Sequence, residues 1–186
     1  MNIKYDYVWN QLSENKDSNI TQYISEIIDD FNIMNPVDYC NNHIVNLITH
    51  RYYEICKKNN INFTINIRSA NLDFMKEYDI TALLDNLLEN AVESVLTTDN
   101  KFIDFSICTR NLNFLIIKVS NSCNTKPKYN NGIITSSKNS SGLHGIGTRS
   151  IKKTVDKYNG NLEMNYDKTE CTFTTVIGIN ANTAKT

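Results

Sequence analysis

Long apolar runs are missing from this chain of 186 residues. None approaches the roughly 20 residues that a membrane-crossing helix needs. The first residues, MNIKYDYVWNQLSENK, lack the apolar core of a secretion signal. Excess charge is missing too: 19 Lys and Arg against 20 Asp and Glu leave a net charge of −1. That balance excludes nucleic-acid binding by bulk electrostatics. The five cysteines (Cys40, Cys56, Cys108, Cys123, Cys171) are scattered and odd in number. They form no C-x-x-C and have no histidine at metal-site spacing, so thiols in a reducing compartment are expected rather than a disulfide frame. No internal repeat is visible. What remains is a globular composition, 40% hydrophobic and 21% charged, in a length that suits one domain or one domain with a small appendage. The expected location is the cytoplasm.

The most informative stretch is Asp79 to Thr97, DITALLDNLLENAVESVLT. Ile80, Leu83, Leu84, Leu87, Leu88, Ala91, Val92 and Val95 recur at helical period and form one apolar face. Opposite them Asn86, Asn90 and Glu93 fall within about 60° of each other, with Asp85 and Glu89 beside the row. Two asparagines one turn apart are poor helix formers. The stripe is either a plain solvated surface or a holder for a hydrated cation; amide and carboxylate oxygens suit Mg²⁺, which keeps several waters and takes few protein ligands.

Ahead of that helix, Ile20, Tyr23, Ile24, Ile27, Ile28 and Phe31 keep helical spacing, and Pro36 marks a turn. Residues 38–59 read as a second amphipathic helix, with Tyr39 or Cys40, Ile44, Leu47, Ile48, Tyr52 and Ile55 on one side. Two such helices make a hairpin whose stripes must be buried, against a second copy or against the rest of the chain. Strands are expected at 61–69, 101–109 and 112–120, the last two as an antiparallel hairpin. Residues 121–141 are polar and read as a long loop of the functional-lid or disordered kind. A helix from Thr148 to the stop at Gly160 follows, then strands near 161–166 and 171–179. The fold class is α+β: a two-layer sandwich in which a mixed sheet carries two helices on one face. The expected division is a helical hairpin over 1–59, a sandwich domain over 60–180 and a frayed tail over 181–186.

Gly142, Gly145 and Gly147 precede a helix N-terminus. Free N–H groups and the positive dipole end suit an anion there, and glycine lets the backbone come close. No Gly-Lys-Ser/Thr follows, so this is not a P-loop, and a long polar segment rather than a strand precedes it, so it is not a dinucleotide fingerprint. At the end of the strand reading LNFLIIKVS stands Asn121, placed either to present a polar group to a ligand or simply to turn the chain.

Taken together, Asn86-x-x-x-Asn90-Ala91, a strand ending at Asn121, a lid, and His144-Gly145-Ile146-Gly147 opening a helix resemble the GHKL superfamily: gyrase B, Hsp90, MutL and histidine kinases. Within it, LLDNLLENAVES and TSSKNSSGLHGIGTRSIKKTVDKYNG resemble the N box and the lid with G2 box of sensor histidine kinases of the accessory-gene-regulator quorum-sensing branch, over about residues 36–180.

The resemblance implies a GHKL (Bergerat) ATP-binding fold, ATP and Mg²⁺ as cofactors, and a response regulator as partner. It also implies a homodimer through the helical hairpin, no nucleic acid, and membrane attachment only through a sensor region outside this chain. Asn90 would coordinate Mg²⁺, Asn86 would support the metal or contact phosphate, and Glu93 would ligate the metal or steady its ligands. Asn86 stands where gyrase-like ATPases carry a water-activating glutamate; an amide cannot be a general base, which favours transfer to a protein side chain over hydrolysis. Asn121 stands where most relatives carry an aspartate that reads adenine. Gly145 and Gly147, with Ile146 between them, would form the phosphate turn. Lys138 and Arg149 would supply cations to phosphate, and His144 would order the lid. The first helix has no acceptor histidine: Tyr5-Asp6-Tyr7 resembles the branch's His-Asp-aromatic run with its histidine replaced. His43 and His50, seven residues apart, read as helix-surface or hairpin-interface residues. No catalytic residue is assigned. A regulatory GHKL module that works through protein partners, and a serine kinase of the anti-sigma type, are the other functions this pattern admits.

Overall fold

A computed structural model describes residues 38–124, 128–130, 133–135 and 146–183. The expected first helix, Tyr5-Asp6-Tyr7, Lys138, His144, Gly145 and the last three residues lie outside the described residues. In chain order the elements are α1 (His43–Lys58), β1 (Asn62–Arg68), α2 (Glu77–Val95), β2 (Phe102–Arg110), β3 (Phe114–Ser122), β4 (Lys128–Asn130), β5 (Ile133–Thr135), α3 (Ile146–Lys157), β6 (Asn161–Asp167) and β7 (Thr172–Asn180).

Five strands form one sheet in the order β1-β2-β3-β7-β6. Only β1 and β2 run parallel, with Asn62 opposite Phe102 and Arg68 opposite Cys108; every other pair is antiparallel. A parallel pair cannot be closed by a tight turn, and α2 is the crossover that joins these two. Strand alternation sends Ile103, Phe105, Ile107, Leu115, Ile117, Val119, Ile177 and Ile179 to one face, all buried. Over them lie Leu83, Leu84, Leu87, Leu88, Ala91 and Val95 of α2 with Ile151, Val155 and Tyr158 of α3, in a single apolar cluster. The architecture is the α+β two-layer sandwich read from the sequence.

The stretch after β3 departs from that reading in two ways. β3 continues to Ser122 instead of stopping at 120, because Ser122 pairs with Thr172 and its hydroxyl meets that of Thr98 at 2.9 Å. The stretch read as one loop also contains a separate two-stranded ladder, with Tyr129 opposite Ile134.

Helix α1 belongs to the same compact unit, Val37–Thr186, as the sheet, whereas the sequence pattern drew a division at 59/60. Its buried apolar residues are Val45, Ile48, Tyr52 and Cys56, while Leu47 and Tyr53 are exposed. The period is the expected one and its phase is rotated, so that the stripe meets α2 and β1. Of the two burial partners left open for this helix, the rest of the chain is the one observed for these four residues. Asn42 caps the helix by accepting from Val45 N at 3.1 Å. Asn46, buried, ties down the entry turn: its oxygen accepts from the Tyr39 and Cys40 amides, and its nitrogen donates to Asp38 Oδ1 and Cys40 O. Against α2, Tyr52 Oη donates to the carbonyl of Asp85 at 3.1 Å, and Arg51 Nη2 pairs with Asp85 Oδ1 at 2.8 Å. Arg51 is 54% exposed, so the pair is screened. Arg51→Ala is expected to cost less than about 1 kcal/mol in a urea melt.

Candidate functional site

Helix α2 begins without a side-chain cap at Lys76, but Glu77 and Asp79 in its first turn suit the positive dipole end. Its apolar face is driven into the core, which leaves Asn86 half-buried and Asn90 and Glu93 exposed on the other side. Asn86 Nδ2 donates back to Ala82 O at 2.5 Å and lies 3.4 Å from Ser150 Oγ of α3. Because the amide nitrogen is committed to a carbonyl, Oδ1 points the other way. A Cβ built on Gly147 would sit 2.8 Å from Asn86 Oδ1 and 3.6 Å from Asn90 Oδ1. The first turn of α3 therefore lies close over the Asn86 carboxamide with Asn90 beside it, and any side chain at 147 would require the Asn86 carboxamide to shift.

The chemistry of that junction is complementary. Carboxamide oxygens are hard ligands, and with Glu93 and Glu89 nearby on α2 they suit a hydrated Mg²⁺. A helix N-terminus offers N–H groups and positive potential, which suit an anion. Among the described residues no group of three His, Cys, Asp or Glu could hold a metal. A cation here would rest on Asn86, Asn90 and water, and it would need an anion to complete its coordination. Arg149 stands exposed in the first turn of α3 and forms no ion pair among the described residues. Ile146 is the first residue of α3.

The third expected element lies at the far end of α2. Asn121 is 3% exposed, so it is a strand residue in the interior and not a turn residue. Its Nδ2 donates to Ser122 O at 2.9 Å, and Ser94 Oγ of α2 donates to the same carbonyl at 3.2 Å. Flipping the amide would set its oxygen against a carbonyl oxygen, so the orientation is determined by its surroundings. The donor is used internally and the oxygen is the atom able to accept. In this setting an asparagine can do what an aspartate does toward an amino group.

How α2 and α3 are held together was not among the expectations from the residue pattern. Asp79, 7% exposed, accepts at Oδ2 from Tyr158 Oη at 2.6 Å and from Lys157 Nζ at 2.5 Å. Tyr158 Oη in turn accepts from Lys76 N at 3.0 Å, and Phe74 meets the Tyr158 ring edge-on at 6.1 Å. This clamp joins the start of α2 to the end of α3. The Asn86–Gly147 contact joins the middle of α2 to the start of α3. Two anchors thus set the helices antiparallel and place Gly147 against the asparagines. A signal was present: Asp79 lies one turn before Leu83, on the apolar side of α2, where an acid requires a partner. Ser150, which approaches Asn86, carried no such signal.

The described residues thus bring together Asn86, Asn90 and Gly147 at one junction, leave Arg149 exposed in the same first turn of α3, and set Asn121 beside the C-terminal half of α2. Comparison with curated proteins gives no match. Among solved structures the chain is similar to the catalytic domain of histidine kinase ThkA, at 19% identity and a TM-score of 0.58, covering 76% of this chain and 92% of that one. It is also similar to the Acinetobacter baumannii histidine kinase AdeS, at 11% identity and 0.57, covering 88% and 81%. A third is full-length ShkA in complex with AMPPNP, at 12% identity and 0.55, covering 77% and 30%. At these identities the likeness is one of fold, that of histidine kinase catalytic domains. A family model described as GHKL domain matches residues 75–179, a span that contains α2, β3 and α3. The chain belongs to the GHKL domain family.

Proposed function

We propose that this chain is the cytoplasmic ATP-binding and dimerisation portion of a two-component sensor histidine kinase of the quorum-sensing receptor branch. It binds ATP with Mg²⁺ and passes the γ-phosphoryl group to a histidine for relay to a response regulator. The observation that supports this reading best is the seating of Gly147 against Asn86 and Asn90, which puts a cation-favouring stripe and an anion-favouring helix start at one point. Asn90 and Asn86 would hold the metal and the phosphate bound to it, with Glu93 steadying the water around it. Arg149, and Lys138, His144 and Gly145 from the segment before α3, would close over the phosphates. Asn121 would accept from the adenine amino group. Bound Mg²⁺ supplies charge neutralisation on the triphosphate; the protein supplies placement. With an amide at Asn86 in place of an acid, no base activates water, and the phosphoryl group is kept for a side chain. The helical segment over 1–59 would mediate the homodimer.

The test is a calorimetric titration with ATP, with and without Mg²⁺. Native protein is expected to bind in a Mg²⁺-dependent way, and Asn90→Ala to lose about tenfold in affinity, the worth of one charge-assisted contact. No heat at millimolar nucleotide would sink the kinase reading. A second reading, a regulatory GHKL module that acts through protein partners, is favoured by the lack of any histidine before His43. Labelled ATP added with a histidine-bearing helical hairpin separates the two: transfer of label supports the kinase, and binding without transfer supports the module.

A further inference from the structure

The sheet face away from the helices carries a basic depression of about 390 Å³, lined by Asn66, Arg68 and Ser69 of the β1 end and Ser106, Cys108 and Arg110 of β2. Arg68 is opposite Cys108 in the parallel ladder, so Arg110 lies two residues further along on the same face. Strand spacing and rise put the two arginine Cα atoms about 8 Å apart. Both side chains are exposed, and neither is in an ion pair among the described residues. Arg68 Nε donates to Asn66 Oδ1 at 2.9 Å, which orients the guanidinium and leaves its terminal nitrogens to reach outward. Just past it, Ser69 adopts a left-handed backbone (φ 47°), and its carbonyl accepts from Thr109 N at 3.1 Å, which pins the two walls together. The acid nearest along β2 on this face, Asp104, is opposite Thr64 and does not line the depression.

Two like charges at neighbouring positions on one sheet face repel unless something neutralises them. Every charge lining this depression is positive, and the hydroxyls of Ser69 and Ser106 add donors beside them. We propose that it is an oxyanion site, in which a phosphate or carboxylate group is held between the guanidinium groups of Arg68 and Arg110. The site lies across the sheet from the α2–α3 junction and does not depend on what binds there.

The experiment follows the backbone amide resonances of the full-length ¹⁵N-labelled chain as inorganic phosphate is added. Parallel arms use acetate, and chloride at matched ionic strength. Saturable shifts at residues 66–69 and 106–110 are expected. The affinity should fall about tenfold in each of Arg68→Gln and Arg110→Gln. Arg68→Lys should keep only part of it, because an ammonium cannot make the forked contact. Saturation by phosphate alone, by acetate alone or by both supports the site and identifies the preferred oxyanion. The proposal is overturned if chloride reproduces the shifts, if the glutamine variants respond as the native chain does, or if saturable shifts appear only at residues 86–90 and 146–150.

Discussion

Asp79→Ala is expected to lower the unfolding free energy by about 3 kcal/mol and the melting temperature by about 6–12 °C. The carboxylate takes two hydrogen bonds on one oxygen, from Tyr158 and Lys157. Removing it strands the hydroxyl of Tyr158, a residue that is 1% exposed and packed inside the apolar cluster. An unpaired buried donor costs about 1–3 kcal/mol, and a bond to a charged acceptor contributes about 1.5–3. Asp79→Asn keeps an acceptor for Tyr158 and should cost clearly less. If alanine and asparagine cost the same, or if both are neutral in a denaturant melt, the clamp does not hold α2 to α3.

The same group gives the clamp a pH signature. Burial acts to raise the Asp79 carboxyl, but the hydrogen bonds from Lys157 and Tyr158 and the charges of Lys157 and Lys76 outweigh it. Its pKa therefore lies below the ordinary 3.8. A carboxylate with a lower pKa in the folded state stabilises the protein above the unfolded value and loses that contribution as pH falls through the folded value. Lys157 shifts the other way: its hydrogen bonds to Asp79 and Tyr78 raise it above 10.5. Its contribution is fully present below that value and is lost only as pH climbs through the raised one. The stability gap between native protein and Asp79→Ala should thus be level from about pH 5 to 10 and should close in acid.

Much of this molecule was legible in the residues because the physics involved is local. The apolar period of α2, the alternation of β2 and the stop at Gly160 are written in runs of neighbouring residues, and the elements appear within a few positions of the expected bounds. The features that were missed or misread depend on partners distant in sequence. β3 gains Ser122 because Thr98 and Thr172 meet it there. Asp79 is satisfied from 78 and 79 positions away. The phase of α1 is set by α2 and β1, which a helical wheel of α1 alone does not contain. At the site, Asn86, Asn90 and Gly147 could be picked out by type and order. That a side chain at 147 would run into Asn86 beside Asn90 is a fact of tertiary structure, and so is the amide orientation that leaves the Asn121 oxygen as the acceptor.

That contact leads to the largest functional effect. Gly147→Val is expected to weaken Mg²⁺-dependent ATP binding about a hundredfold, the loss of two charge-assisted contacts together. Even a single added carbon would lie 2.8 Å from Asn86 Oδ1, so the carboxamide must swing away, while Asn90 Oδ1 at 3.6 Å is in ordinary contact with that carbon. The two further methyls of valine remove the remaining room beside Asn90. Stability should fall by only about 1–3 kcal/mol, the usual cost of overpacking, because Asn86 is a side chain that can yield. A double-mutant cycle separates the two effects. Adding Asn86→Ser to Gly147→Val should restore most of the lost stability, because the clash is with the end of the asparagine. It should not restore nucleotide affinity, because the oxygen that the site needs is gone. Strict additivity of the two substitutions in thermal melts would mean that the contact does not govern how α3 sits on α2. Native-like affinity of Gly147→Val in the titration would mean that the asparagine pair does not hold the metal and its phosphate.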